Sequence, residues 1–322
     1  MTRLRKALIL GVTGQDGRLL VNLLSNKNYE IVGTSRSTIK PSGLWGAGSP
    51  SFRIVQLDPQ DAFKLKSVIE KFLPDEIYVL CGQSSVANSF LNPLETLQSH
   101  FLASYNVFQS VISLCYVPKI FVATSGDMFG NVSNMNASEN TALNPKSPYG
   151  LAKVSVFNLV KYFRSNHGLN IWNGILFNHE SVLRPTYFVT SKIIIGAISA
   201  SRDSTFNLEL GNIGISRDWG FATEYVEAMW RMLQTDVPED FIVGTGTTHS
   251  LEDFIRLSFE SEGLDYRDHI STTEALKRPS DIEVNGCNPR KIFSKIGWRA
   301  KVKLPELVDR LIFDFKHVKH EP

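Results

Sequence analysis

Three groups of residues have types and spacings suited to chemistry. Tyr149 and Lys153, in the run Tyr149-Gly150-Leu151-Ala152-Lys153, stand at i and i+4 of a helical pattern. Both side chains therefore emerge on one face, one turn apart. A phenol with a pKa of about 10 is a poor base at neutral pH, and an adjacent ammonium together with a positive nicotinamide ring would lower it. The pair would then serve redox chemistry on an alcohol, with Lys153 also placed to hold the nicotinamide ribose. Upstream, Ser125 and Asp127 follow an apolar run and supply a hydroxyl for a reacting oxygen and a carboxylate in the same loop. The third group is Gly11-Val12-Thr13-Gly14-Gln15-Asp16-Gly17, a G-x-x-G-x-x-G turn. Its first glycine permits a tight turn, its second lets a pyrophosphate approach the backbone, and its third lets helix and strand pack closely. Each group also has a plain reading: a packed aromatic beside a solvated amine, ordinary loop residues, and a simple strand-to-helix turn.

These residues need a scaffold that brings them to one edge, and the chain provides its pattern. Ala7 to Leu10, Glu30 to Thr34, Arg53 to Leu57, Glu76 to Leu80 and Lys119 to Thr124 read as strands. Arg18 to Lys27, Ala62 to Phe72 and Pro93 to Cys115 read as the helices between them. Strand and helix alternating at this interval is the form of a Rossmann-like, doubly wound parallel α/β sheet, which binds ligands at the carboxyl ends of its strands. Tyr149 to His167 reads as a long helix and NIWNGILF as a further strand. Helical spacing then returns at Phe188 to Ser201, Ala222 to Thr235 and Leu251 to Glu262. The expected division is a dinucleotide-binding domain over 1–173 and a smaller, mixed α/β, predominantly substrate-binding part over 174–322, with some strands returning to the main sheet.

On this frame the glycine turn places Gly11, Thr13, Gly14, Gln15, Asp16 and Gly17 at a dinucleotide's phosphates, at the positive end of a helix. The second strand ends in Gly33-Thr34-Ser35-Arg36-Ser37, with no acid to hold a ribose hydroxyl. Arg36 favours NADP over NAD, unless it is one more surface charge. Asp58 is a candidate for the adenine amino group, or a turn-former before Pro59.

Composition narrows the partners. The 322 residues are 43% apolar and 20% charged, with a net charge of +2, and carry no basic block. Nucleic acid is therefore not an expected partner, while a small anion remains one. The apolar run of MTRLRKALILG has only about four residues, too few for a signal peptide or a membrane span. Cys81, Cys115 and Cys287 are widely spaced, and the first two sit in apolar runs. Buried, reduced thiols of a cytoplasmic protein are the expectation, and no Cys/His cluster has metal-ligand spacing.

The motifs taken together resemble an extended short-chain dehydrogenase/reductase and, within that superfamily, are most similar to the GDP-mannose 4,6-dehydratase family. TGQDG (Thr13 to Gly17), QSSV (Gln83 to Val86), SPYGLAK (Ser147 to Lys153), NGILFNHES (Asn173 to Ser181), FVTSKI (Phe188 to Ile193), GNIGISRDWGFATEYVEAMW (Gly211 to Trp230) and RPSDIEV (Arg278 to Val284) carry the resemblance in the family's order. The resemblance implies an internal redox. Tyr149, with Ser125 and Lys153, handles the C4 hydroxyl proton of the hexose while hydride passes to NADP; a carboxylate then removes the C5 proton and helps water leave C6, and the hydride returns to C6. Asp127 takes the carboxylate's place, in Ser125-Gly126-Asp127 where the family usually has Thr-Ser-Glu. It also implies substrate contacts from Gln83, Ser84, Asn178, Lys192, Arg217 and Arg278, the cations holding the diphosphate and nucleoside. His179 and Trp219 are expected to serve packing and hydrogen bonding. Family members commonly form dimers or tetramers through helices of the first domain and a loop for which 37–50 is the candidate. Two other readings stay open: a 4-keto-6-deoxy-sugar reductase or an epimerase, which need no elimination acid, and a sugar-nucleotide-binding regulator without turnover.

Overall fold

The apolar run near the N-terminus becomes β1 (Lys6–Leu10), whose last four residues are buried. It lies between two parallel partners and is covered on both faces, which is why it shows no polar alternation. The computed structural model describes residues 3–38, 52–132 and 136–317. After β1 the chain runs through α1 (Gln15–Ser25), β2 (Glu30–Ser35), β3 (Phe52–Gln56), α2 (Ala62–Phe72), β4 (Glu76–Val79), α3 (Val86–Leu91), α4 (Pro93–Ser113) and β5 (Lys119–Ser125). There follow α5 (Pro148–His167), β6 (Ile171–Leu176), β7 (Asn178–Glu180), α6 (Val189–Ala200), β8 (Leu208–Leu210), β9 (Ser216–Phe221) and α7 (Ala222–Leu233). The remainder is β10 (Asp240–Val243), β11 (Thr248–Ser250), α8 (Leu251–Glu260), β12 (Ile270–Thr272), β13 (Val284–Asn285), α9 (Arg290–Ile296) and α10 (Leu304–His317).

Seven parallel strands form the main sheet in the order β10-β6-β5-β4-β1-β2-β3. The chain leaves β1 toward β2 and β3, then returns to build outward from β4. The carboxyl ends of β1 and β4 therefore flank a topological switch point, where such sheets open a crevice. β10, from the C-terminal part, closes the far edge by pairing with β6. β9 is the hub of a second, smaller sheet, pairing with β7, β11 and β13.

Two apolar layers sandwich the main sheet. Leu20 and Leu24 of α1 join Met229 and Met232 of α7 with Ile9 and Phe121. On the other face Leu65, Val107, Val111, Val156 and Val160 join Leu8, Leu10 and Val122. A separate core gathers Ile193 of α6, Phe254 of α8 and Leu307 of α10 around Trp219. None of the described helices is long and apolar enough to cross a membrane.

The elements depart from expectation mostly at their ends. α1 starts at Gln15 rather than Arg18, because the extended backbone of Gly14 serves as its N-cap. α5 starts at Pro148, which suits a first helical position, behind Ser147, whose hydroxyl accepts from the Gly150 amide. The cysteines reverse the expectation: Cys115 is exposed and Cys81 half-buried, and only Cys287, outside any apolar run, is fully buried. Cys115 follows the end of α4 with a φ of 50°, a chain reversal that turns its side chain outward. The expected contact loop 37–50 lies, beyond Thr38, outside the described residues.

Candidate active site

The cleft begins at the turn between β1 and α1. Gly11 has a φ of 86°, and a Cβ there would lie 2.8 Å from the Cys81 backbone. A Cβ on Gly17 would lie 2.5 Å from the Gly11 carbonyl oxygen. Both positions need glycine for space, and Gly11 also for its dihedral. No side chain caps the start of α1, so its first amides and its positive end remain open toward the cleft.

A carboxylate, Asp16, stands in that same first turn, where it would repel a phosphate. His179 answers it: Nε2 lies 3.0 Å from each Asp16 oxygen, while Nδ1–H donates to the Phe177 carbonyl at 2.7 Å. Both partners only accept, so the ring satisfies both as imidazolium. Burial alone would lower the His179 pKa and raise that of Asp16, but the mutual attraction overrides it, leaving His179 raised and Asp16 lowered. Beside this pair the Gln15 amide donates to the His179 carbonyl at 3.0 Å and accepts from the Ser181 hydroxyl at 2.9 Å. The glycine turn is thus stitched to β7 across more than 160 residues of chain.

β5 and α5 supply the opposite group. Lys153 is buried, donates to the Ala123 carbonyl at 2.9 Å and holds its Nζ 5.7 Å from the centre of the Tyr149 ring. Burial pulls its pKa down to about 8. Without a nicotinamide ring beside it, the Tyr149 phenol is pushed above its ordinary value. Burial and the Asp127 carboxylate outweigh the hydrogen bond with Ser125. Asp127 itself is raised by burial, against the pull of Arg217, Arg278 and Arg184. The Ser125 hydroxyl accepts from the Asp127 amide at 3.2 Å, and this caps the short turn Gly126–Phe129. Asn285 fixes that turn from the other side, its amide donating to the Gly126 carbonyl at 3.1 Å.

The far wall is cationic. Arg217, on β9, is buried; it donates to the Ser216 carbonyl at 2.8 Å and meets Asp281 at 3.2 Å, and Arg278 meets the same carboxylate at 3.5 Å. Ser84 and Asn178 also line the cleft. So the fold gathers Gly11, Gly14, Gln15, Asp16, Gly17, Ser84, Ser125, Asp127, Tyr149, Lys153, Asn178, Arg217 and Arg278 from seven separate segments.

Five expected residues, Gln83 among them, stand apart from the cleft wall. Thr13 is exposed on the turn, and Lys192 faces solvent from α6. Arg36 and Asp58 are exposed at the ends of β2 and β3, close enough to bear on the Cys81 thiol. Asp58 accepts from the Gln60 amide at 3.0 Å, the turn-forming role. Gln83 is committed to the loop, its amide donating to the Ser85 carbonyl at 2.9 Å and the Thr96 hydroxyl at 3.2 Å. Trp219 packs on Phe254, as a core residue does. Three lining residues carry more than sequence reasoning assigned them: His179, His100 and Arg184. Arg184 meets Glu180 at 3.4 Å and lies 3.9 Å over the Phe188 ring. A lone arginine between Leu183 and Pro185 gives no sign of this; for His179 the signal is its NHES context, which implies packing and hydrogen bonding but not an ion pair.

A family model described as GDP-mannose 4,6 dehydratase matches residues 8–311. The chain is similar to GDP-mannose 4,6 dehydratase 2 of Caenorhabditis elegans, 35% identical over 95% of this chain and 87% of that one. It is also similar to the GDP-mannose 4,6-dehydratase of Vibrio cholerae, 32% identical over 96% and 93%. Among solved structures, dTDP-glucose 4,6-dehydratase of Streptomyces venezuelae, with NAD bound, shares the fold with a TM-score of 0.87 at 16% identity, covering 97% of each chain. On the family match and the near full-length relatives, the chain belongs to the GDP-mannose 4,6-dehydratase family.

Proposed function

We propose that the protein converts GDP-mannose to GDP-4-keto-6-deoxymannose with NADP as a recycled cofactor. The observation that carries this beyond the family is Asp127: a carboxyl whose pKa burial raises, in the same cleft as the Tyr149 phenol, Lys153 and two guanidiniums. A carboxyl tuned upward is suited to take a proton from carbon and return it to a leaving hydroxyl. The residues of the turn fit a dinucleotide, because the space that a Cβ at Gly11 or Gly17 would fill is left clear beside the open end of α1. Bound there, the nicotinamide group supplies the acceptor for the C4 hydride and the donor that returns it to C6.

The chain's own residues do the rest. Tyr149, in the phenolate form that the Lys153 ammonium and the positive ring of a bound nicotinamide would favour, accepts the proton of the C4 hydroxyl, and Ser125 hydrogen-bonds the same oxygen as it becomes a ketone. Lys153 holds positive charge beside the phenol. The ketone acidifies C5, and Asp127 removes that proton and delivers it to the departing C6 hydroxyl, so water leaves; as C6 regains hydride, C5 takes the proton that Tyr149 accepted from the C4 hydroxyl, which resets the phenol. Arg217 and Arg278 exchange Asp281 for the diphosphate, whose oxygens a guanidinium fork matches. Arg36 at the end of β2, with no acid beside it, supports NADP over NAD. Exposed apolar side chains on the paired helices α4 and α5, Leu94 and Tyr105 with Leu151 and Tyr162, support self-association as a homodimer or homotetramer of a cytoplasmic enzyme.

Incubation with GDP-mannose and a catalytic amount of NADP tests the reading, with an alkali-sensitive 4-keto product expected. Stoichiometric NADPH oxidation with a keto-sugar, and no dehydration, would make the protein a reductase, which needs Ser125, Tyr149 and Lys153 but no elimination acid. Binding without either reaction would make it a regulator.

A further inference from the structure

One imidazole of the cleft has no role in the scheme above. His100 lies on the inner side of α4, 4% exposed, and lines the cleft together with Tyr149. Its ring meets the Tyr149 ring edge-on, with centroids 5.7 Å apart and planes at 71°. On its other side is Gly82, with a φ of 128°, where a Cβ would fall 2.1 Å from the imidazole Nδ1 and Cε1. The imidazole therefore occupies the volume that any side chain at 82 would need. Its Nε2–H donates to the Gln83 carbonyl at 2.8 Å. Burial, with the Lys153 ammonium nearby, holds the ring well below its ordinary pKa, against the upward pull of hydrogen bonds to the Gln83 and Cys81 backbone.

The loop that His100 grips is the one that brings Ser84 and Ser85 to the cleft. α4 holds this loop by three side chains. Ser99 accepts from the Gln83 amide at 3.2 Å, Thr96 accepts from the Gln83 side chain at 3.2 Å, and His100 takes the Gln83 carbonyl. His100 is the one of these three that also touches the ring of the tyrosine.

We infer that His100 is a positioning residue: its Nε2–H sets the loop that presents Ser84, and its ring sets the plane of the Tyr149 phenol. The inference rests on the proposed dehydration. It assigns two separable duties to one side chain, so two variants divide them. His100→Phe keeps a ring against Tyr149 but leaves the Gln83 carbonyl without its donor. His100→Gln keeps an N–H donor of similar reach but removes the ring.

Steady-state kinetics with GDP-mannose, calorimetric affinities for GDP-mannose and NADP, and melting temperatures are to be measured on the full chain. For His100→Phe, KM and Kd for GDP-mannose should rise roughly tenfold, the effect of one buried acceptor left unpaired, with kcat within about twofold. For His100→Gln, kcat should fall at least roughly tenfold, as small misplacements of a reacting group do, with KM nearly unchanged. NADP affinity should be unaffected in both. The same pattern in the two variants, whether both kinetically normal with lower melting temperatures or both impaired alike, would overturn the inference. No product from the wild type would instead overturn the dehydratase reading, and the affinities for GDP-mannose, which need no turnover, would still separate the two variants.

Discussion

The turn after β1 and the turn after β5 both end a central strand at the same edge of the sheet, yet they are built in opposite ways. The first is shaped by exclusion: added carbons at Gly11 or Gly17 would press within 3 Å of backbone atoms. Its one charge, Asp16, is matched by an imidazolium. The second is shaped by charge: among the described residues Asp127 has no partner as close, and Arg217, Arg278 and Arg184 act on it without cancelling the upward push of burial. A site that only holds a ligand can be rigid and electrically quiet. A site that moves protons keeps a carboxyl whose charge is incompletely stabilised.

That contrast can be broken from the first side most violently. Gly17→Val places a branched side chain against the Gly11 carbonyl and the Val12 backbone, neither of which can rotate away. NADP binding by calorimetry should be abolished, and thermal unfolding should show a loss of about 3 kcal/mol, the upper end for overpacking. Normal cofactor affinity in this variant would show that the turn is not the phosphate cradle.

On the second side, changes should remove chemistry and leave binding intact. Tyr149→Phe keeps the ring packed against His100 and deletes the hydroxyl, so turnover should fall by roughly 10³-fold or more while nucleotide affinities hold. Asp127→Asn keeps volume and deletes the proton carrier. Formation of the 4-keto product should fall by roughly 10²-fold, whereas reduction of a supplied keto-sugar should be nearly unchanged. Equal losses in the two assays would show that Asp127 serves geometry and not proton transfer.

The same contrast explains what could be read from the chain before its fold. Spacing reports space: the glycines at 11, 14 and 17, the apolar run of β1 and the i, i+4 pair of Tyr149 and Lys153 each express a local geometric need, and each lies where its pattern implied. Charge reports nothing until the chain folds. The Asp16–His179 pair joins residues 163 apart, and Asp127 feels the charge of arginines from three distant segments. For the same reason helical spacing identifies the lysine neighbour of Tyr149 but not the burial and the carboxylate that push its phenol upward. Lys192 differs again: this helix position, carried over by resemblance, is exposed rather than set in the cleft wall.

The mildest test concerns the pair that joins the two halves of the cleft. His179 is raised above its unfolded value of about 6.5, so its contribution to stability is complete below that pH and disappears as pH rises through the folded value. Asp16 is lowered, so its contribution is complete above its unfolded value of about 3.9 and disappears as pH falls through the folded one. The two overlap between about pH 4 and 6.5, where the pair is fully charged. His179→Asn should therefore melt about 2–4 °C below the wild type at pH 6, and the gap should narrow steadily above pH 7. Lys153 runs the other way, because a pKa pulled down to about 8 makes stability rise with pH above that value. That effect is common to both proteins and cancels in their difference. A gap in melting temperature that stays constant or widens between pH 6 and 9 would mean that the imidazole is neutral and the pair is a hydrogen bond, leaving the charge of Asp16 standing in front of the phosphates.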